Sequence, residues 1–218
     1  MTSSSLISTA APGRKSVISR EDVIAAALSL LSSQRSVSSL SLREVARQAG
    51  IAPNSFYRQF RDMDELAVAL IDLAGTSLRQ IIGEARDQAR KSADTQRSVL
   101  RSSVQAFMQQ LKSGDKLLHI LLREGSVGSD AFKQAVDRQL NYFEDELRLD
   151  LMRLSEAHNN DLYEPALAAK AITRMVFAMG ATAVDLPEEK LAGLTEQLVV
   201  MVRMILVGSQ HLQAEQGE

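Results

Sequence analysis

Residues 41–61 read Ser-Leu-Arg-Glu-Val-Ala-Arg-Gln-Ala-Gly-Ile-Ala-Pro-Asn-Ser-Phe-Tyr-Arg-Gln-Phe-Arg, and no other stretch restricts the fold as tightly. Ser41 followed three residues later by Glu44 is a capping box, in which each side chain satisfies an orphan backbone N–H of a first helical turn. Leu42, Val45, Ala46 and Ala49 recur at spacings of three and four on one face of that helix. Gly50 supplies the left-handed residue that stops it, and Pro53 suits the first turn of a second helix but not the interior of the first. The second helix buries Phe56 and Phe60 and turns Asn54, Ser55, Tyr57 and Arg58 outward. Two short helices about a tight glycine turn form a helix-turn-helix, whose second helix enters the DNA major groove. The alternative is a plain helical hairpin in which Gly50 and Pro53 are only punctuation.

The run over residues 41–62, ending Ser-Phe-Tyr-Arg-Gln-Phe-Arg-Asp, resembles the DNA-binding signature of the TetR family of one-component transcriptional regulators. The resemblance implies an all-helical homodimer with an N-terminal reading head and a C-terminal ligand-binding and dimerisation domain. Asn54 and Ser55, at the start of the second helix, are expected to face base edges. Tyr57 matches the family's phosphate-binding tyrosine. Gln59 stands where the family often has His, so it can bond a phosphate but brings no charge. Arg43, Arg58, Arg61 and Ser19 are expected to clamp the backbone, with Ser41 and Pro53 at the two helix starts completing the contact set.

The charge distribution fits such a head. The whole chain has 25 Lys and Arg against 27 Asp and Glu, a net charge of −2. Residues 1–61 hold 8 basic and 3 acidic residues, a balance of +5, which leaves 17 basic and 24 acidic residues and −7 for the remainder. A basic segment on an acidic body is the footprint of a DNA-reading head.

Beyond the motif the expected architecture is all-α, an N-terminal three-helix domain over 19–63 and a helical ligand-binding and dimerisation domain over 64–218. Ser19 with Asp22 opens a helix through about Ser32, with Val23, Ile24, Ala27, Leu28 and Leu31 as its apolar stripe. Ser32–Leu40 reads as a serine-rich loop. A long connecting helix begins at the acids Asp62, Asp64 and Glu65, where the macrodipole favours them, and runs to about Lys91. Leu66, Leu70, Leu73, Leu78 and Ile81 keep one side of it apolar, with Gly75 and Gly83 as points of bending or close packing. Further helices are predicted over about 95–112, 115–124, 129–154, 165–185 and 188–213; only Leu198–Val207 is β-branched enough to raise a strand alternative. Residues 1–18, rich in Ser and Ala, read as a disordered arm, and their charge lies on the wrong side for a signal peptide. No apolar run approaches the ~20 residues of a membrane span. With no Cys among 218 residues, disulfides, thiol catalysis and Cys-based metal sites are excluded; the expected setting is the cytoplasm.

The C-terminal domain carries a second resemblance. His119-Ile-Leu-Leu-Arg123-Glu124, Ser126, Ser129-Asp-Ala-Phe-Lys133, Val176-Phe177, Gly180-Ala181, Ala183, Asp185 and Leu198–Met204 with Gly208 resemble the repressors of unsaturated fatty-acid biosynthesis of Gram-negative bacteria. The likeness implies sensing of long-chain acyl thioesters, as acyl-carrier protein or coenzyme A derivatives, and no cofactor. The residues themselves give large apolar groups on consecutive helices: Phe107, Met108, Leu111, Leu118, Leu121, Leu122, Phe132, Val136, Phe143, Met175, Phe177 and Met179. Flexible Met side chains suit a pocket for a variable apolar chain, and the same residues would equally fill a packed core. A different apolar effector, as in drug-efflux control, is the alternative.

Homodimerisation is assigned to the last two helices, through Gly180 and Ala183, where small residues allow close approach, and the stripe Leu191, Leu194, Leu198, Met201, Val202 and Ile205. An isologous dimer places two heads about one DNA turn apart, hence a palindromic double-stranded operator.

An enzyme is not expected. His119, His158 and His211 are scattered, Gly125–Gly128 lacks the Lys of a P-loop, and Glu144-Asp145-Glu146 reads as a solvated helix face. A helical protein–protein adaptor is the third class, and the charge segregation opposes it.

Overall fold

The computed structural model describes residues 18–32, 35–92, 96–159, 161–184 and 186–216, and the arm over 1–17 lies outside them. Helices account for nearly all of this chain, with one isolated bridge between Ser32 and Arg35. The head comprises α1 (Arg20–Leu30), a short 3-10 turn (Val37–Ser39), α2 (Leu42–Gln48) and α3 (Pro53–Phe56). The body follows as α4 (Met63–Ser92), α5 (Gln96–Lys112), α6 (Lys116–Val127), α7 (Asp130–His158), α8 (Pro165–Ala183) and α9 (Glu188–Gln216).

Both capping boxes form. Ser19 Oγ accepts from the Asp22 N–H at 3.2 Å while Asp22 accepts from the Ser19 N–H at 2.9 Å. Ser41 and Glu44 repeat the exchange at the head of α2. Gly50 adopts φ +70°, and the Gly50 and Ile51 N–H groups donate to the Arg47 and Ala46 carbonyls, a Schellman ending. The chain then turns into α3, whose helical bonding loosens after Phe56 but still carries Phe60 N–H to the Phe56 carbonyl. Phe56 and Phe60 are buried, ring centroids 5.7 Å apart. α1 stops two residues before the expected Ser32, because Leu31 turns extended and inserts into the core.

The 30-residue α4 spans roughly 45 Å and packs on α5, α6 and α7. Contact on three sides explains why its core is not the single stripe read from sequence. Leu66, Leu70 and Leu78 are buried as expected, Leu73 is exposed and Ile81 half-buried, and Ile71, Ala74 and Ile82 fill the remaining sides. At Gly75 a side chain would collide with the Gln139 amide of α7, so this glycine serves close packing. Gly83 has nothing within 4 Å of where a Cβ would stand. By length and composition α4 and α9 could both cross a membrane, with mean hydropathies of 1.4 and 1.6. Neither is a continuous apolar run, since α4 is interrupted by Asp72 and Arg79 and α9 by Arg203. In α4 much of the apolar surface is packed inside the bundle, and α9 keeps much of its own exposed.

Candidate functional site: a basic face and a buried cavity

The outer face of the head is built from α2, α3 and the turn between them. Arg43, Arg47 and Arg58 are exposed, and among the described residues none of the three forms an ion pair. Asn54 is exposed at the start of α3, Ser55 half-buried beside it, and Tyr57 stands 60% exposed, edge-on to Phe56. Pro53 opens α3 at an exposed position. Asn54, Tyr57, Arg43 and Arg58 are thus open to solvent, with Ser55 partly so, and side chains of these types suit base edges and phosphates.

Other residues expected on that surface are engaged within the protein. Gln59 donates its amide to the Ile18 carbonyl at 2.8 Å, and its own carbonyl accepts from Arg20 at 2.7 Å. Ser19 and Ser41 spend their hydroxyls in the caps. Arg61 Nε lies 3.1 Å from Glu65, although its side chain remains open to solvent. Glu65 also pairs with Arg20, whose guanidinium covers the Phe60 ring at 3.9 Å. Hydrogen bonds from the Arg61 backbone N–H and from Arg20 hold the Glu65 carboxyl down at about 2. The Ser41 hydroxyl, then Arg35, hold Glu44 at about 2 as well. The Arg35–Glu44 pair, at 2.8 Å, fastens the serine-rich loop to α2; sequence spacing does not reveal it.

In the body a cavity of about 90 Å³ lies between α4, α5, α7 and α8, with Val202 of α9 on its wall. Phe107, Phe143 and Phe177 line it, with ring centroids 5.4 Å (Phe107–Phe177) and 5.1 Å (Phe143–Phe177) apart. A shallower groove of about 400 Å³ between α6, α7 and α8 takes Leu122, Val136 and the other side of Phe177. Met108, Leu111, Leu118 and Phe132 are buried in the core away from the cavity, and Met175 and Met179 are half-buried against it. Sequence reasoning did not find Ile82, Val99, Val104, Leu151, Ile172 and Val176, which complete the apolar wall.

It also missed the charged end. Arg86 and Asp150 line the cavity, and Arg86 is only 4% exposed. Arg86 Nη1 donates to Asp150 Oδ2 at 2.5 Å, and Asp150 Oδ1 accepts from Arg90 at 3.1 Å and from Arg153 at 3.4 Å. Glu146 lies 3.2 Å from Arg79 and 3.9 Å from Arg86. Burial raises the Glu146 pKa against the pull of Arg79 and Arg86. Arg86 and Asp150 are 64 positions apart, so no local pattern announces the pair. Glu146, taken as part of a solvated face, instead faces α4. The side chains of Glu124 and Ser126 lie outside the described residues.

The dimerisation residues separate into two groups. Gly180 is buried against the Phe107 ring of the same chain, where a Cβ would come within 2.6 Å. Ala183, Leu198 and Val202 are buried within the chain, and Leu191 with them. Leu194 and Ile205 are half-buried and Met201 is exposed. The face that α9 turns to solvent carries Val200, Met201, Met204, Val207 and Leu212, and α8 adds Leu167. Most of the stripe read from sequence, Leu191, Leu198 and Val202, is therefore packed within the chain, while Met201 belongs to the solvent-facing side of α9.

Residues 23–70 match the family described as bacterial regulatory proteins, tetR family. Among solved structures, a transcriptional regulator from Rhodococcus sp. Rha1 aligns at 18% identity over 88% of this chain and 98% of that one, TM-score 0.68. A tetR-family transcriptional regulator from Streptomyces coelicolor aligns at 22% identity over 91% and 84%, TM-score 0.65. The fatty acid degradation regulator FadR from Bacillus halodurans aligns at 18% identity over 84% and 96%, TM-score 0.64. Identities this low establish a shared fold, and the family match covers the head.

Proposed function

We propose that this chain, a TetR-type transcriptional regulator by its reading head and its fold, represses genes by binding a palindromic operator as a homodimer and releases or tightens that grip when an apolar effector enters the body. The observation that carries the DNA half is the set of unpaired, exposed guanidiniums of Arg43, Arg47 and Arg58 around Asn54, Ser55 and Tyr57. Met201, Met204 and Val207 on α9, with Leu167 on α8, supply the apolar surface for a two-fold interface. The effector half rests on the aromatic-lined cavity beside α4, the helix that begins where the head ends. A long-chain acyl thioester, and with it control of unsaturated fatty-acid synthesis, is the effector class we assign from the likeness of residues 119–133 and 176–208 to repressors of that pathway. The test is operator affinity by gel shift with and without acyl-coenzyme A of increasing chain length and saturation, with free coenzyme A as control. Identical affinity under all of them removes the lipid role and leaves the DNA-binding regulator.

A second reading has its own support. At about 90 Å³ the cavity is well below the ~300 Å³ of an ordinary ligand pocket, so a compact apolar effector needs less opening than a long chain does. A panel of small aromatic effectors in the same gel shift separates the two.

A further inference from the structure

We infer that the cavity receives an anionic amphiphile, apolar tail among the phenylalanines and oxyanion head at Arg86. The inference rests on the reading of that cavity as the effector site, and it specifies what the effector must carry. A purely apolar ligand would leave the charged end of the cavity unmatched, and Arg86 is 4% exposed at its wall. Asp150 is the alternative receptor, for a cationic ligand. Its oxygens are already taken, Oδ2 by Arg86 and Oδ1 by Arg90 and Arg153. Arg86 gives Nη1 to Asp150, and its other nitrogens have longer contacts. Its Nε reaches the Ile82 carbonyl at 3.4 Å and its Nη2 stands 3.9 Å from Glu146. The cluster as a whole sets Arg79, Arg86, Arg90 and Arg153 against Glu146, Asp150 and Asp87, four cations to three anions. The residual charge is positive, and Arg86 and Asp150 bring the cluster to a wall that is apolar apart from Ser103 and Thr173.

The position also gives the head group something to do. Arg86 and Arg90 belong to α4, Asp150 and Glu146 to α7, so the network ties the two helices together beside the cavity. An oxyanion on Arg86 competes with Asp150 for the same guanidinium and loosens that tie. A neutral ligand of equal size leaves it intact, so only the anion has different affinities for the tied and loosened states. The same chemistry is available from a fatty-acid carboxylate and from the phosphates of an acyl-coenzyme A.

The experiment uses the full-length dimer carrying Phe177→Trp, the single indole in a chain without Trp, as a reporter of the cavity. Dodecanoate, dodecanoyl-coenzyme A, dodecanol and dodecylammonium are titrated below their micelle concentrations, and operator release is followed in parallel. The anions are expected to bind about tenfold or more tighter than dodecanol, the scale of one charge-assisted hydrogen bond. Arg86→Gln should erase that preference, so that dodecanoate and dodecanol bind the variant equally. Asp150→Asn, which frees Arg86, should strengthen dodecanoate binding relative to dodecanol, a selectivity that a purely structural role for Asp150 would not produce. Carboxylate and thioester arms separate the two head-group sources. Equal affinity for all four probes, or tightest binding of dodecylammonium, overturns the inference while the cavity remains the effector site. No indole response to any probe removes the cavity reading itself.

Discussion

The head and the body use arginine in opposite ways. In the head, Arg43, Arg47 and Arg58 point into water without carboxylate partners, available to an external polyanion. In the body, Arg79, Arg86 and Arg90 are drawn inward onto Glu146 and Asp150 and knit two long helices together. The contrast separates two jobs for one side chain. A free guanidinium on a rigid surface is a reading device whose energy is realised only on binding, whereas a buried, paired one holds helices in register and yields when a competing anion arrives.

Several measurements can break or sharpen that contrast. The largest effect is expected from a matched pair of core truncations. Phe56→Ala, in a tightly packed head, should cost about 3–5 kcal/mol and unfold the domain below its normal melting range. Phe143→Ala, whose ring already borders a cavity, should cost less and enlarge that cavity; comparable losses by chemical denaturation would contradict the packing difference. Next in size is Met204→Glu, on a residue 67% exposed, which should yield monomers by light scattering and abolish tight binding of a palindrome without disturbing the fold. Val202→Glu at the 1% exposed inner position should instead disrupt the body.

Arg58→Ala and Arg43→Ala should each weaken operator binding and lower the salt slope by about one if the contact is to phosphate; an unchanged slope with altered base preference would move that residue to base readout. Arg90→Gln, in the body, should leave the slope alone. The smallest effect concerns acid. Glu44 and Glu65 ordinarily titrate at 4.5 and are held at about 2. Lowered folded-state values mean that their contribution is complete above 4.5 and is lost as pH falls toward about 2. Ser41→Ala, at a cap worth about 1 kcal/mol, should move the acid unfolding of the head to higher pH by circular dichroism. An unmoved transition would place the acid sensitivity elsewhere.

The two regions also differed in how far their sequence could be read. In the head every informative signal is local: Ser19 with Asp22, Ser41 with Glu44, Gly50, Pro53 and the spacing of Phe56 and Phe60 lie within a turn or two of what they specify. Helix starts in the body were legible for the same reason, from Gly114 to Pro165, while α6, α7 and α9 run three or four residues past the expected ends. Which face of a helix points inward was not. Leu198 and Val202 look no more apolar than Met201 and Met204, and only the placement of α5 and α8 decides between them. Gln59 shows the same limit on a small scale, since its amide is taken by Ile18, 41 residues earlier.

The junction between head and body bears on how the two parts could be recombined. Arg20 reaches from α1 to Glu65 on α4, and Lys116 of α6 donates to the Leu28 carbonyl at the end of α1. Val23, Phe56, Phe60, Leu66 and Leu70 belong to one uninterrupted core that continues into the bundle. A chimaera spliced at residue 63, where the connecting helix starts, would therefore leave half of a shared hydrophobic seam on each side of the cut. Grafting a foreign head onto this body would have to carry the first two turns of α4 along with it and supply an acceptor for Lys116, so the exchangeable unit is larger than α1 to α3.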